Sequence, residues 1–271
     1  GNIGSVSVGT IQKALYSEKA KIMTVFGSGS FGITTTAMSL ASKLCATSKV
    51  LYIDMDLVAP KADAWFSKNP ICKNISSIPS NNSKMSALGI FYELGMETFM
   101  RYSASIIHQC DRTKGGGIDY LSGVYYRVEP SKIVEADYSS LFNFLGSMYQ
   151  YIIIDLGRLG SSEVNDNLIK MLSDIATYNV VVTTSDKFEL RNFRWKLNEI
   201  KINLDSIAWL INMSDKTAID DRTKQYITPC RYGIMLNDPS LHGTREKFTR
   251  NKLNKDRLDL FANTALFVDR K

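Results

Sequence analysis

Residues 27–36 read "GSGSFGITTT". They follow a short apolar run, "KIMTVF" (21–26), and lead into "AMSLASKL" (37–44). Four residues separate Gly27 from Gly32, and Thr34 stands two places further on. That is the spacing of a phosphate-binding loop set between a strand and a helix. Such a loop holds phosphate oxygens with successive backbone N–H groups, helped by the dipole of the helix that follows. Glycines let the backbone come close and take positive φ. Gly27, Gly29 and Gly32 are placed for this, with Ser30 between them. Thr34, at the first helical position, can offer its hydroxyl to Mg²⁺, and Thr35 can reach a phosphate. The usual loop ends Gly-Lys-Ser/Thr, but here the lysine place holds Ile33. A lysine adds a full positive charge at the β- and γ-phosphates and stabilises charge during phosphoryl transfer. Its loss costs a few kcal/mol in a transition state, while binding through amides and Mg²⁺ can survive. The alternative is a glycine-rich turn with no ligand.

The surroundings of the loop bear on that choice. The next apolar run, "VLYID" (50–54), continues into "MDLVAP" and puts Asp54 and Asp56 at a strand end. A later run, "YIIIDL" (151–156), gives Asp155, followed by Gly157 and Gly160. Ligands of open α/β sheets sit at the carboxyl ends of strands. Mg²⁺ in such sites uses few carboxylates, several waters and the phosphates. One Asp after a strand is ordinarily a turn or cap residue. All of these in order favour a nucleotide site, with Thr34, Asp54 and Asp155 as candidate metal groups.

The remaining chain repeats the alternation. Further apolar runs at 118–122, 179–184, 207–212 and 232–236 read as strands. Most are continuously apolar, as expected of strands covered on both faces in a mostly parallel sheet. Helical patterns fill the gaps: 34–47, one or two helices in 85–109, one in 131–149, then 162–176, 187–202 and 216–227. This predicts an α/β fold, a doubly wound, mostly parallel sheet with helices on both faces. One domain is expected over 21–271, preceded by an accessory segment, 1–20, with a helix around residues 8–18. Residues 74–84 are the most loop-like stretch, and no internal repeat is present.

Composition narrows the classes. The chain has 271 residues, 44% hydrophobic and 22% charged, which is ordinary for a globular protein. It has no apolar run long enough to span a bilayer as a helix. Cys45, Cys72, Cys110 and Cys230 lie far apart without metal-ligand spacing, so buried reduced thiols and a cytoplasmic location are expected. A net charge of +6 permits contact with nucleic acid or anionic lipid but does not require it. A basic cluster, Arg245 to Arg257, offers salt-dependent DNA binding, but intervening acids make a solvated helical face the favoured reading. The last segment, 257–271, has apolar residues at near-helical spacing and fits core packing better than membrane docking. Trp65 and Trp195 stand beside apolar neighbours, so core or interface packing is expected for both. No nucleophilic triad or glycosidase-type carboxylate pair stands out.

Taken in order, "FGSGSFGITTTAMSLASKL", "VLYIDMDLVAP" and "YIIIDLGRLGSS" resemble the deviant phosphate loop and two switch segments of the MinD/ParA ATPase superfamily. The likeness continues in "WLINMSD" and "MLNDPSLHG", and covers residues 21 to about 250. It implies ATP and Mg²⁺ as ligands and a face-to-face homodimer. It also implies Asp56 as the residue that positions attacking water, and Asn212 and Pro239 as contacts to the base. The chain departs from the family where it matters most. The signature lysine that reaches across the dimer is replaced by Ser28, as the second is by Ile33. Lys61 and Arg158 are candidate substitute cations, though either alone reads as surface charge. The altered loop and "DLGRLG" resemble the TadZ/CpaE-like branch, which localises pilus or secretion assembly proteins. The expectation is thus an ATP-binding dimer with slow or absent hydrolysis, acting as a localisation or assembly factor. Its partners would be pilus or secretion proteins, with docking at the membrane or cell pole as a variant. A nucleotide-free scaffold and a DNA-binding partition protein are the alternatives.

Overall fold

Short β-branched and aliphatic runs form the strands. In the computed structural model, which describes residues 20–66, 85–113, 116–214, 220–227 and 231–236, they join into one eight-stranded sheet. In chain order the strands are β1 (Lys21–Gly27), β2 (Lys49–Asp54), β3 (Ile107–Thr113), β4 (Gly116–Leu121), β5 (Tyr151–Arg158), β6 (Tyr178–Thr183), β7 (Ile207–Ser214) and β8 (Arg231–Leu236). Their spatial order is β3-β4-β2-β5-β1-β6-β7-β8. Every neighbouring pair is parallel except β3 with β4. The helices are α1 (Ile33–Leu44), α2 (Ala62–Phe66), α3 (Ala87–Ile106), α4 (Pro130–Val134), α5 (Tyr138–Gly146), α6 (Glu163–Ile175), α7 (Lys187–Glu199) and α8 (Asp221–Lys224).

The sheet is covered on both faces, as the unbroken apolar runs predict. Alternate residues of one strand enter different cores. Ile152, Ile154 and Leu156 of β5 join a cluster with side chains of α3, α5, α6 and α7. Ile153, between them, joins Met23, Val25, Tyr52 and Val180 beneath α1. The period-two alternation of a strand therefore delivers apolar residues to two layers. The polar groups at the Thr24–Asn179 contact in the core are paired. The Thr24 hydroxyl donates to Asn179, whose own amide donates to the Ser173 carbonyl at 3.1 Å and to Ser206 at 2.8 Å.

Helix starts follow their capping residues. Ser86, Asp137, Ser162, Asp186 and Asp220 each accept a backbone N–H from the first turn. Each such cap contributes about 1 kcal/mol.

The structure corrects three expectations. Residues 107–113 are not the end of a helix but an antiparallel strand on the sheet edge. "IHQCDRT" is too polar to show a buried run, and an edge strand does not need one. Second, 131–149 is two helices, because Asp137 stops one and caps the next through Ser140 N–H at 2.9 Å. Third, Trp195 is not packed in the core but 64% exposed on α7, whereas Trp65 packs against the α1-side core as expected. Within α3, Gly95 breaks the helix with φ +81°, so that long element is kinked. Between residues 216 and 227 the described residues hold only the short α8. The accessory helix at 8–18, the loop-like 74–84, Pro239 and everything from 237 onward lie outside the described residues.

Candidate functional site: a loop of unpaired amides at the carboxyl edge of the sheet

β1 lies in the middle of the sheet, between β5 and β6, so the loop that follows it meets the loops of both neighbours. Gly27 ends the strand. A Cβ there would run into the Val182 carbonyl and stand 2.9 Å from Ile33 Cγ1, so only glycine fits. Ser28 is tied to β6 twice, by its N–H to the Val182 carbonyl at 3.2 Å and by its hydroxyl to Thr183 at 3.2 Å. Gly29 is buried beneath the Phe31 ring, whose edge lies 2.6 Å from where a Cβ would stand. Ser30 is exposed. Gly32 caps α1 in the left-handed region, φ +86°, with no side-chain cap. Its carbonyl receives the Thr36 N–H at 2.9 Å and the Thr36 hydroxyl at 2.7 Å. Ile33 points into the α1-side core and is 7% exposed.

This geometry leaves a row of donors. Among the described residues no acceptor stands against the backbone N–H of residues 29 through 35. Three of these belong to the first turn of α1, where a helix always has spare donors, and the rest belong to the loop. Backbone N–H groups in folded proteins are almost always paired, and a consecutive row of bare ones at a helix start is the arrangement that can accept an anion.

Carboxylates face the same edge. Asp54 and Asp155 are cross-strand partners on β2 and β5, and each is 1% exposed. Asp155 accepts from the Thr34 hydroxyl, from the Tyr52 phenol at 2.9 Å and from the Gly157 N–H at 3.2 Å. Burial pushes its pKa up to about 6 even against those hydrogen bonds. Asp54 is also raised well above the usual carboxylate range, first by burial and then by the charge of Asp155. Its oxygens brace the chain after β2, accepting N–H from Lys61 at 2.8 Å, Ala62 at 2.9 Å and Asp56 at 3.3 Å. Asp56 accepts from Val58 and Ala59 N–H, both at 3.0 Å, in a tight turn. The same carboxylate lies over the Gly157 Cα, and Gly157 has φ +68°. Asp56 therefore touches the loop after β5 as well as its own.

That second loop is fastened too. Leu159 N–H reaches the Gly27 carbonyl at 2.9 Å, and Gly160 N–H reaches Asp166 at 2.6 Å. The Lys196 ammonium stands over the Gly160 Cα. Arg158 is the cross-strand partner of Gly27 and is exposed.

The structure thus gathers Gly27, Gly29, Ser30, Gly32, Ile33, Thr34, Thr35, Asp54, Asp56, Asp155 and Asn212 at one edge of the sheet. Ile33, in the lysine place of the loop, is packed inside. Sequence reasoning missed Tyr52, whose phenol stands on Asp155. The signal was a lone phenol in a buried aliphatic strand, since a buried Tyr hydroxyl needs a partner. An oxygen-only pair, the Asp155 carboxylate and the Thr34 hydroxyl, suits Mg²⁺. Two neighbouring buried acids with raised pKa values are also what a cation would relieve.

No protein-family model matches the chain, and no curated protein matches it. Solved structures do match in fold. MinD from Pyrococcus horikoshii, complexed with Mg-ADP, gives a TM-score of 0.63 at 16% identity, covering 93% of this chain and 96% of that one. A plasmid partition protein from Borrelia burgdorferi, bound to AMPPNP, gives 0.60 at 23% identity, covering 94% and 100%. A ParA family ATPase from Chlorobium tepidum gives 0.55 at 16% identity, covering 81% and 86%. The fold is that of the MinD/ParA phosphate-loop ATPases.

Proposed function

We propose that this chain binds ATP with Mg²⁺ at the loop of residues 29–35 and turns it over slowly or not at all. The observation that carries the reading is the row of backbone N–H groups, in the loop and first turn of α1, that meet no acceptor among the described residues. Each such donor is already oriented, so an anion binds without reorganisation. Thr34 and Asp155 would hold Mg²⁺, which neutralises phosphate charge when bound. Asp54 braces the loop after β2, and Asp56 links the two loops that flank the phosphates. With Ser28 and Ile33 in place of lysines, no side-chain cation enters the loop itself, and the transition state loses the stabilisation that a lysine supplies. The nucleotides held by the Pyrococcus and Borrelia proteins of the same fold support the ligand class.

Nucleotide binding would favour a face-to-face homodimer that acts as a localisation or assembly factor for a bacterial pilus or secretion machine. That role rests on the resemblance of the altered loop and of "DLGRLG". A DNA-binding partition role is the competing one, and the likeness to the Borrelia plasmid partition protein supports it. Absence of a gel shift at low salt removes it.

A second reading has its own observation. Phe31 lies on Gly29 and Ile33 on Gly27, so apolar side chains pack against the loop's glycines. This favours a scaffold that holds no nucleotide. Isothermal titration with ATP and Mg²⁺ separates the two. The expected result is saturable binding at one site per chain, lost in Asp155→Asn, with little phosphate released over hours. No heat from a folded protein gives the scaffold reading the case.

A further inference from the structure

Asn212 sits near the end of β7, two strands from β1, yet its side chain reaches the loop. Its amide nitrogen donates to the Phe31 carbonyl at 2.6 Å. Only the NH₂ end can make this bond, since a carbonyl only accepts. The same nitrogen closes over Gly32, where a Cβ would stand 2.6 Å from it. β6 lies between, and Ser28 is bonded to its Val182 and Thr183. The loop is therefore held from β6 at its start and from β7 at its end.

We infer that Asn212 is a positioning residue for the phosphate loop: by holding the Phe31 carbonyl it sets which way the Gly32 N–H points. This rests on the reading of residues 29–35 as a phosphate site. In a trans peptide the C=O and the following N–H lie on opposite sides of the chain. A carbonyl drawn toward β7 turns the Gly32 N–H away from β7, among the donors that have no acceptor. Without the tether the 31–32 peptide is free to rotate. A carbonyl oxygen then faces the anion, and one donor of the row is lost. The left-handed φ of Gly32 and the missing side chain there are what let Asn212 come this close.

A residue at this place can also act by touching the base, and a base-free ligand separates the two roles. Binding of inorganic tripolyphosphate and of ATP, each with Mg²⁺, is measured by titration calorimetry for the parent and for Asn212→Leu. Leucine keeps the volume and removes the donor. Asn212→Ala carries the same test if Asn212→Leu does not fold. The expected result is a loss of about tenfold for both ligands, by the same factor, with the thermal midpoint little changed. A loss for ATP alone overturns the inference and makes Asn212 a base contact. Unchanged affinity for both overturns it as well, with the phosphate site intact. A parent that binds ATP but not tripolyphosphate also overturns it, since base contacts then carry the binding. A parent that binds neither overturns the phosphate-site reading itself.

Discussion

At the scale of single residues, the site is a contest between buried charge and its partners. Asp155 has no basic side chain among its described contacts, and burial lifts it to about 6. The ordinary value is about 4. The folded chain thus holds that proton more tightly than the unfolded chain does. The stability this contributes is fully present below about pH 4 and is lost as pH rises through about 6. The shift corresponds to about 3 kcal/mol between those limits, and Asp54 adds in the same direction. Thermal unfolding in EDTA should therefore show parent and Asp155→Asn converging near pH 4. By pH 7.5 the variant should be the more stable of the two. Equal midpoints at both pH values would rule out an uncompensated charge at Asp155. Binding of Mg²⁺ should run the opposite way, weakening as the carboxylate takes up its proton. Ile33 is the other residue-scale departure. The spacing showed that the lysine was gone, but only the structure showed that its replacement points into the core.

At the scale of elements, exposure separates two tryptophans. Both have apolar residues two places away, but Trp195 stands between Arg194 and Lys196 and Trp209 between Ala208 and Leu210. Trp209 on β7 is fully buried and meets the Phe193 ring edge-on at 5.7 Å, while Trp195 on α7 is 64% exposed. Trp209→Ala should cost about 3–5 kcal/mol in urea unfolding. Trp195→Ala should stay within about 0.5 kcal/mol. Iodide should quench the emission that Trp195→Ala removes and spare that of Trp209. The helices that the sequence placed well have a marked start, as in Asp186, which accepts N–H from Phe188 at 2.9 Å and from Glu189 at 2.8 Å. The break at Asp137 carried the same signal inside a continuous apolar stripe, and the stripe masked it. β3 was hidden for a different reason. An edge strand buries little, so neither alternation nor a long apolar run marks it, and its identity comes from pairing with β4.

At the scale of the molecule, the strand order places the loop after β1 between those after β5 and β6, with β2 beyond β5. Asp56 on Gly157 and Leu159 on the Gly27 carbonyl tie these loops to one another. A nucleotide held there would be seen by both flanking loops at once, which is how binding could be passed to a partner subunit. Light scattering after size exclusion should then show a monomer without ligand and a dimer with a non-hydrolysable ATP analogue and Mg²⁺. Asp155→Asn should remain monomeric in both. A parent that stays monomeric at saturating analogue would sink the dimer reading while leaving the phosphate site standing.

The sequence alone determined the fold class, because apolar runs, glycine spacing and caps are local signals of strands, turns and helix starts. It also determined which residues lie along the carboxyl edge, since Gly27 to Thr35, Asp54 and Asp155 follow directly from strand ends. The tertiary structure decided the relations among them. The Tyr52 phenol on Asp155, Asp56 over Gly157, and the reach of Asn212 across β6 to residue 31 join positions far apart in the chain. No local pattern encodes such contacts. The spacing of "GSGSFGITTT" thus marks a candidate phosphate loop, but the bond from Asn212 to the Phe31 carbonyl appears only when β1, β6 and β7 lie side by side.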